Sequence, residues 1–377
     1  MSSLPIASAP TALTPAWLTD ALRAGGTVDP SVVVESVDAN PVGTGQMCDS
    51  LRLRLTYSRG PASRGPAARG SATDGAEGPA SIVAKLPAGD PTSRATAKSL
   101  RNYELEVRFY QQLAADLPVR TPRCLYADID VEEADFILLL EDLAPARQGD
   151  QLAGCTPDQA AVAVAELPKL HAPRWGDPSL ASIEWLHRDP ATSQAFMAQL
   201  LPALHEGFRE RYADRLDVEV ADACDALFAR LGAHLAGRQA PATIVHGDFR
   251  LDNLLFGDPD GGVPVAVVDW QTVATGSALG DVAYFLGAGL LPEDRRAHEE
   301  ALVRDYLGRL HAAGVQGYGW DACWEDYRRG TWGGLIMAVA ASMLVERTDR
   351  GDEMFLTMAR RHARHALDLD AAALLGT

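Results

Sequence analysis

Residues 244–256 read IVHGDFRLDNLLF. The apolar ends are those of β-strands, yet the middle carries His246, Asp248, Arg250, Asp252 and Asn253. A strand ending at His246 and another beginning at Leu254 leave a loop that presents Asp248 and Asn253 at one end of a sheet. GDPDGG, residues 257–262, is an Asp/Gly turn that reverses the chain. The strand after it, VPVAVVD, returns its last residue, Asp269, to the same end. The spacing therefore predicts two carboxylates and an amide converging on one spot.

That set has a chemical reading. Hard divalent cations such as Mg²⁺ take oxygen ligands, a few from carboxylates or amides and the rest from phosphate and water. Asn253 and Asp269 can supply the protein's share, which leaves Asp248 to accept a proton from an attacking hydroxyl. A nucleotide also needs a cover for its phosphates and a cation to hold them. Gly43-Thr44-Gly45 lies between two strand-like segments, and Lys85 ends the apolar run SIVAKL. Glu106, on the helical stretch that follows, is the expected ion-pair partner of Lys85. Taken singly, G-x-G is also what an ordinary turn contains, and a lysine at a strand end is also a common edge charge. H-x-D-x-x-x-x-N followed by an apolar strand ending in Asp is far more specific.

Outward from this centre, the chain changes character once. Thr14-Pro15 starts a helix, with Thr as cap and Pro at the first helical position. SVVVESVDA and LRLRLTY read as strands, the second with one buried face. Residues 59–80 are almost entirely Gly, Pro, Ala, Ser and charge, and read as a flexible hairpin insertion. A helix is expected near 95–115, and FILLLEDL from 136 reads as a buried strand. Beyond Pro145, apolar residues recur at helical spacing in DQAAVAVAELPKLHA, QAFMAQLLPALHEGFRERYA and VADACDALFARLGAHL. The expected fold is α+β with two lobes: a β-rich lobe over 1–145 and a mainly helical lobe over 146–377 carrying the catalytic ribbon.

Composition narrows the partners. The 377 residues hold 34 Lys and Arg against 51 Asp and Glu, a formal net charge of −17. Such a field repels nucleic-acid phosphates. The five cysteines are scattered with no C-x-x-C pair, so they read as reduced, mostly packed thiols. The opening residues lack a basic, apolar signal, and the longest apolar stretch, around 333–345, is shorter than the roughly 20 residues a membrane span needs. A cytoplasmic protein is expected. His205-Glu206 lacks the second histidine of a zinc hydrolase, the histidines of RRHARH stand among arginines, and Ser277 lacks the flanks of a nucleophile elbow.

HGDFRLDN, VVDWQ, AKL and EVRFY together resemble the aminoglycoside phosphotransferase and choline kinase group of protein-kinase-like small-molecule kinases. The likeness runs from about residue 35 to past 350 and leans toward ecdysteroid-kinase-like proteins and the kinase domains fused to acyl-CoA dehydrogenases. It implies a bilobal protein-kinase-like fold using ATP or GTP with Mg²⁺. Asp248 would be the catalytic base, and Asn253 and Asp269 the metal ligands. Lys85 would hold the α- and β-phosphates, paired with Glu106, while Gly43, Thr44 and Gly45 would cover the triphosphate. The backbone of Glu141, Asp142 and Leu143 would receive the base of the nucleotide. Asp281, in GSALGDVAYFL, would brace the catalytic loop, and His246 would serve structurally by bonding the loop backbone.

The chain departs from protein kinases. Cys48 stands where a third loop glycine would be, Gln271 replaces the glycine after the metal-binding acid, and no A-P-E signal follows. A protein substrate is not expected. Arg250 either stabilises charge on the transferred phosphate or makes a salt bridge to Asp252 or another acid. Trp324, Tyr327, Arg328 and Trp332 either line an acceptor pocket or belong to the core of an apolar helix. The acceptor is expected to be a hydroxylated lipid, steroid or secondary metabolite. An aminoglycoside and a hydroxyacyl-CoA are alternatives, as is a nucleotide-binding pseudokinase that transfers nothing.

Overall fold

The computed structural model describes residues 4–43, 47–59, 78–187, 190–236, 240–257 and 264–375. It separates into two compact units, Met1–Ala114 with Pro122–Ala144, and Ala115–Thr121 with Pro145–Thr377.

Among the described residues, the first unit is a five-stranded sheet with three α-helices. Its strands are β1 (Val32–Pro41), β2 (Cys48–Arg59), β3 (Ser81–Pro87), β4 (Cys124–Asp130) and β5 (Asp135–Glu141). They lie in the order β1-β2-β3-β5-β4, each neighbouring pair antiparallel. Alternation sets the faces of β2, where Leu51, Leu53 and Leu55 are buried. In β5 the unbroken run Phe136–Leu140 is buried throughout, as in a strand covered on both faces.

Helix α1 (Pro15–Ala24) begins where Thr14 accepts a hydrogen bond from the Trp17 N–H. It lays Leu18, Ala21 and Leu22 on the sheet, a core shared with Leu53, Ile82, Leu86, Ile137 and Leu139. Each leucine so enclosed contributes roughly 1.5–3 kcal/mol. Gly25 at its end touches β4 so closely that a Cβ would stand 1.7 Å from the Leu125 carbonyl oxygen.

The helix expected near 95–115 is two helices, α2 (Pro91–Ser99) and α3 (Asn102–Gln112). They part at Arg101, which sits at φ 60, a left-handed conformation that no run of helix can pass through. Strand β4 has no counterpart in the sequence reading, because Cys124–Asp130 mixes buried and half-buried residues without clean alternation. Residues 60–77, most of the expected insertion, lie outside the described residues, as do Thr44 and Gly45 of the glycine loop.

The second unit holds the short strands β6 (Arg147–Gln148), β7 (Ala242–Val245), β8 (Leu254–Phe256), β9 (Val265–Val267) and β10 (Ala274–Ser277). Helices α4 (Pro157–Val164), α5 (Leu167–His171), α6 (Pro190–Arg211), α7 (Val218–Phe228) and α8 (Leu231–Ala236) precede β7. After β10 come α9 (Ala278–Gly289), α10 (Pro292–Ala312), α11 (Trp320–Leu344) and α12 (Asp349–Asp368). Strand β8 pairs antiparallel with β9, as its spacing predicts, but β7 pairs with β10 instead of joining that ribbon. Of the turn that closes the ribbon, Gly257 is described and 258–262 are not. Among the described residues no helix is long and apolar enough to cross a membrane, and all five cysteines are free thiols.

Candidate active site

The loop between β7 and β8 turns sharply at Gly247, whose φ is +80. A Cβ there would fall 2.6 Å from the Thr272 carbonyl oxygen, so only glycine fits. His246 fastens the turn: its Nε2 donates to the Val268 carbonyl at 3.0 Å, and its Nδ1 accepts the Asp248 N–H at 3.2 Å. These two bonds define the Nε2–H tautomer and give His246 a backbone-bonding place.

Asp281, in the first turn of α9, lies beneath the loop and is 3% exposed. It accepts the N–H groups of His246 at 2.7 Å and Gly247 at 2.9 Å, and His171 Nε2 stands 3.2 Å away. Burial alone would raise its pKa. The His171 bond, the nearby imidazoles and the His246 N–H outweigh burial and hold the carboxyl below its ordinary value.

On this base Asp248 and Asn253 meet. Asn253 Nδ2 donates to the Asp248 carboxylate (Oδ2) at 2.9 Å and to its carbonyl oxygen at 2.8 Å. The amide nitrogen is thereby committed, which assigns the amide oxygen to the other side. Residues Leu251–Asn253 form a single 3₁₀ turn, and the Val268 N–H bonds the Asn253 carbonyl at 3.0 Å. Asp269, one residue further on, has φ +68, unusual for a residue with a side chain. The ribbon β8–β9 thus brings the Asn253 and Asp269 backbones to one end.

Arg250 makes the ion pairs anticipated by one of its two readings. Its Nη1 lies 2.6 Å from Asp252 and its Nε 3.1 Å from Asp248. Burial works against its charge, but Asp248 and the other anions around it raise its pKa further still.

In the first unit, Lys85 Nζ lies 2.6 Å and 2.7 Å from the two oxygens of Glu106, and both residues are buried. Asp142 at the end of the sheet takes Arg52 at 2.7 Å and Ser81 at 2.7 Å. The Glu141 N–H bonds the Arg123 carbonyl and is not directed to a ligand. Leu143 follows in the same stretch, and Gly43, at φ +79, has open space beside its Cα.

The four residues weighed for an acceptor pocket all lie on α11. Trp332 is 1% exposed and Tyr327 fully buried. The indole of Trp332 donates to the Ala371 carbonyl, and the Tyr327 hydroxyl donates to Glu299. Trp324 stacks between Trp320 and Tyr327, and Arg328 donates to the carbonyls of Leu369 and Asp370. Trp332 and Tyr327 are thus packed inside the helical unit, Trp332 within its apolar core, while Trp324 and Arg328 are half-buried.

The structure also adds residues that the motif did not point to. Gln151 accepts the Leu251 N–H at 3.0 Å and donates its own N–H to Asp252 at 3.1 Å, bracing the loop. Tyr284 donates to Asp248 at 2.7 Å. Neither could be found from spacing, since one lies about a hundred residues before the loop and the other on a helix that reads as pure core.

The phosphotransferase enzyme family (APH) matches residues 76–329. A 70-residue stretch is 46% identical to mouse (Mus musculus) acyl-CoA dehydrogenase family member 10; it covers 19% of this chain and 6% of that protein. The chain therefore spans only a small part of that relative's length. Among solved structures, choline kinase from Cryptosporidium parvum is similar over 89% of both chains at 11% identity, with a TM-score of 0.53. Ethanolamine kinase from Plasmodium vivax is similar over 87% of this chain and 82% of its own at 10% identity, with a TM-score of 0.50. At such identities the likeness is one of fold, and the family match covers well over half the sequence: the chain belongs to the phosphotransferase enzyme family.

Proposed function

We propose that this phosphotransferase moves the terminal phosphoryl group of ATP or GTP to a hydroxyl of a small molecule, with Asp248 as the base. The observation that carries the reading is the double clasp of Asn253 on Asp248 at the end of the ribbon that also leads to Asp269. In the step, the acceptor oxygen forms a bond to the γ-phosphorus as the bond to the leaving diphosphate breaks, and the hydroxyl proton passes to Asp248. Orientation of that hydroxyl and neutralisation of phosphate charge supply most of the rate.

The donor set fits Mg²⁺. An amide oxygen turned away from Asp248 and a neighbouring carboxylate are hard ligands, and a cation that keeps water and phosphate oxygens needs few from the protein. Asn253 and Asp269 would hold the ion, which when bound would neutralise charge on the β- and γ-phosphates. Lys85, fixed by Glu106, would hold the α- and β-phosphates. Gly43, Thr44 and Gly45 would cover them, and Leu143 would offer its backbone to the base of the nucleotide.

With Tyr327 and Trp332 in the core, the argument for an apolar acceptor loses its support, so the reading extends to hydroxyl-bearing small molecules in general. Nucleotide consumption should be screened with choline, ethanolamine, aminoglycosides, sterols and hydroxyacyl-CoA esters. One of these should be phosphorylated by the wild type and not by Asp248→Ala, whose fold should persist. Product formation by that variant overturns the reading.

A further inference from the structure

Among the described residues the Asp248 carboxylate takes donors from two sources. Arg250 Nε at 3.1 Å and Asn253 Nδ2 at 2.9 Å, both from its own loop, reach Oδ2. The Tyr284 hydroxyl reaches Oδ1 at 2.7 Å from α9, the same helix whose first turn places Asp281 under the loop. His246, the other ionisable group bonded here, meets only the Asp248 N–H.

Tyr284 has little freedom to do otherwise. It is 5% exposed, and its ring stacks on His362 with centroids 5.4 Å apart and planes 18° apart. His362 in turn occupies a notch where α9 and α11 both present glycine. A Cβ on Gly287 would approach its Nδ1 to 2.6 Å, and one on Gly334 its Cε1 to 2.0 Å. The phenol is held as a donor, since burial and the Asp248 charge together push its pKa well above the ordinary value.

A buried tyrosine needs some acceptor, and a backbone carbonyl would satisfy it equally well. Bonding Oδ1 has a different consequence. Oδ2 is occupied by two donors, whereas Oδ1 has one and keeps a lone pair for an incoming proton. We propose that Tyr284 is a positioning residue for phosphoryl transfer, fixing the Asp248 carboxylate so that the remaining lone pair of Oδ1 faces the acceptor hydroxyl. The inference rests on the reading of Asp248 as the base.

The test is Tyr284→Phe, which keeps the ring and its stack. Turnover is read as Mg-ATP hydrolysis, with water as the acceptor hydroxyl, alongside Mg-ATP affinity and thermal midpoint. Loss of one hydrogen bond to a charged group should lower kcat about 10- to 100-fold. KM for ATP should change less than about two-fold, because the hydroxyl is not placed on the nucleotide. A purely structural tyrosine would leave kcat and KM in place and move only the midpoint. If Asp248→Ala is inactive while Tyr284→Phe matches the wild type, the positioning role is overturned and the base reading stands. If the wild type turns over neither Mg-ATP nor Mg-GTP, with water or with any acceptor of the panel, or if Asp248→Ala keeps its turnover, both fall.

Discussion

Asn253 holds Asp248 at two points, the carboxylate at 2.9 Å and the carbonyl at 2.8 Å, both through one amide nitrogen. On the reading above, the same side chain orients the base and offers its oxygen to the cation. Asn253→Ala should therefore lower turnover by about 10²- to 10³-fold, the usual effect of deleting one preorganised polar group. It should also raise the Mg²⁺ concentration needed for half-maximal rate. Turnover measured against Mg²⁺ concentration checks this, and an unchanged Mg²⁺ requirement would remove Asn253 from the metal site.

The Lys85–Glu106 pair allows stability and binding to be separated. Both ends are buried, so Lys85→Ala leaves Glu106 without this cation and should destabilise the first unit by about 3–5 kcal/mol. Replacing both, as Lys85→Met with Glu106→Leu, should recover much of that stability, because burying the two charges was itself costly. Mg-ATP affinity should stay low in the single and the double variant. Urea midpoints and nucleotide titration give the two readouts.

Asp281 predicts an acid limit for the fold. Its folded pKa lies below the unfolded value of about 3.9. The unfolded chain therefore takes up a proton first, and the stability contributed by Asp281 is complete above that pH and lost as pH falls toward the folded pKa. Urea unfolding should show a decline below about pH 4. Asp281→Ala should flatten it while lowering stability at neutral pH, since the His246 and Gly247 N–H groups lose their acceptor.

His362 should act in a higher window. Burial, His365, Arg295 and Arg361 depress its pKa well below the ordinary value. Its neutral form belongs to the fold, so its contribution is whole above the unfolded pKa of about 6.5 and is lost as pH drops below it. His362→Gln should reduce the slope of stability against pH in that range. Gly334→Ala should cost roughly 1–3 kcal/mol or more at all pH values by forcing a methyl group against the ring.

The β8–β9 ribbon and the loop before it were legible because their polar residues sit at fixed intervals in an apolar frame. Asp248, Asn253 and Asp269 lie on consecutive short elements, so counting residues was enough to bring them to one end. The Lys85–Glu106 pair was legible because Lys85 is a lone charge in an apolar strand and Glu106 lies on the helical stretch that follows. The surroundings were not. Gln151 and Tyr284 reach the loop across long chain separations, and the arginines of RRHARH gave no sign that His362 and His365 are fully buried. The burial of Trp332 and Tyr327 was not legible either, because an aromatic stripe has the same pattern whether it faces a ligand or a neighbouring helix.

Segment 115–121 belongs to the second unit although the chain on either side of it belongs to the first. The Arg120 carbonyl accepts the Val267 N–H at 2.8 Å, and Thr121 accepts from the Trp270 indole at 3.0 Å. These bonds flank Asp269 on both sides. A fragment started at Pro145 would thus strip the strand ending at Val267 of a backbone partner, and a continuous one that keeps it must begin by Ala115 and carry 122–144 along. An engineer wishing to transplant the second unit without 122–144 would have to splice this short tether back, by a relinked or permuted order of segments.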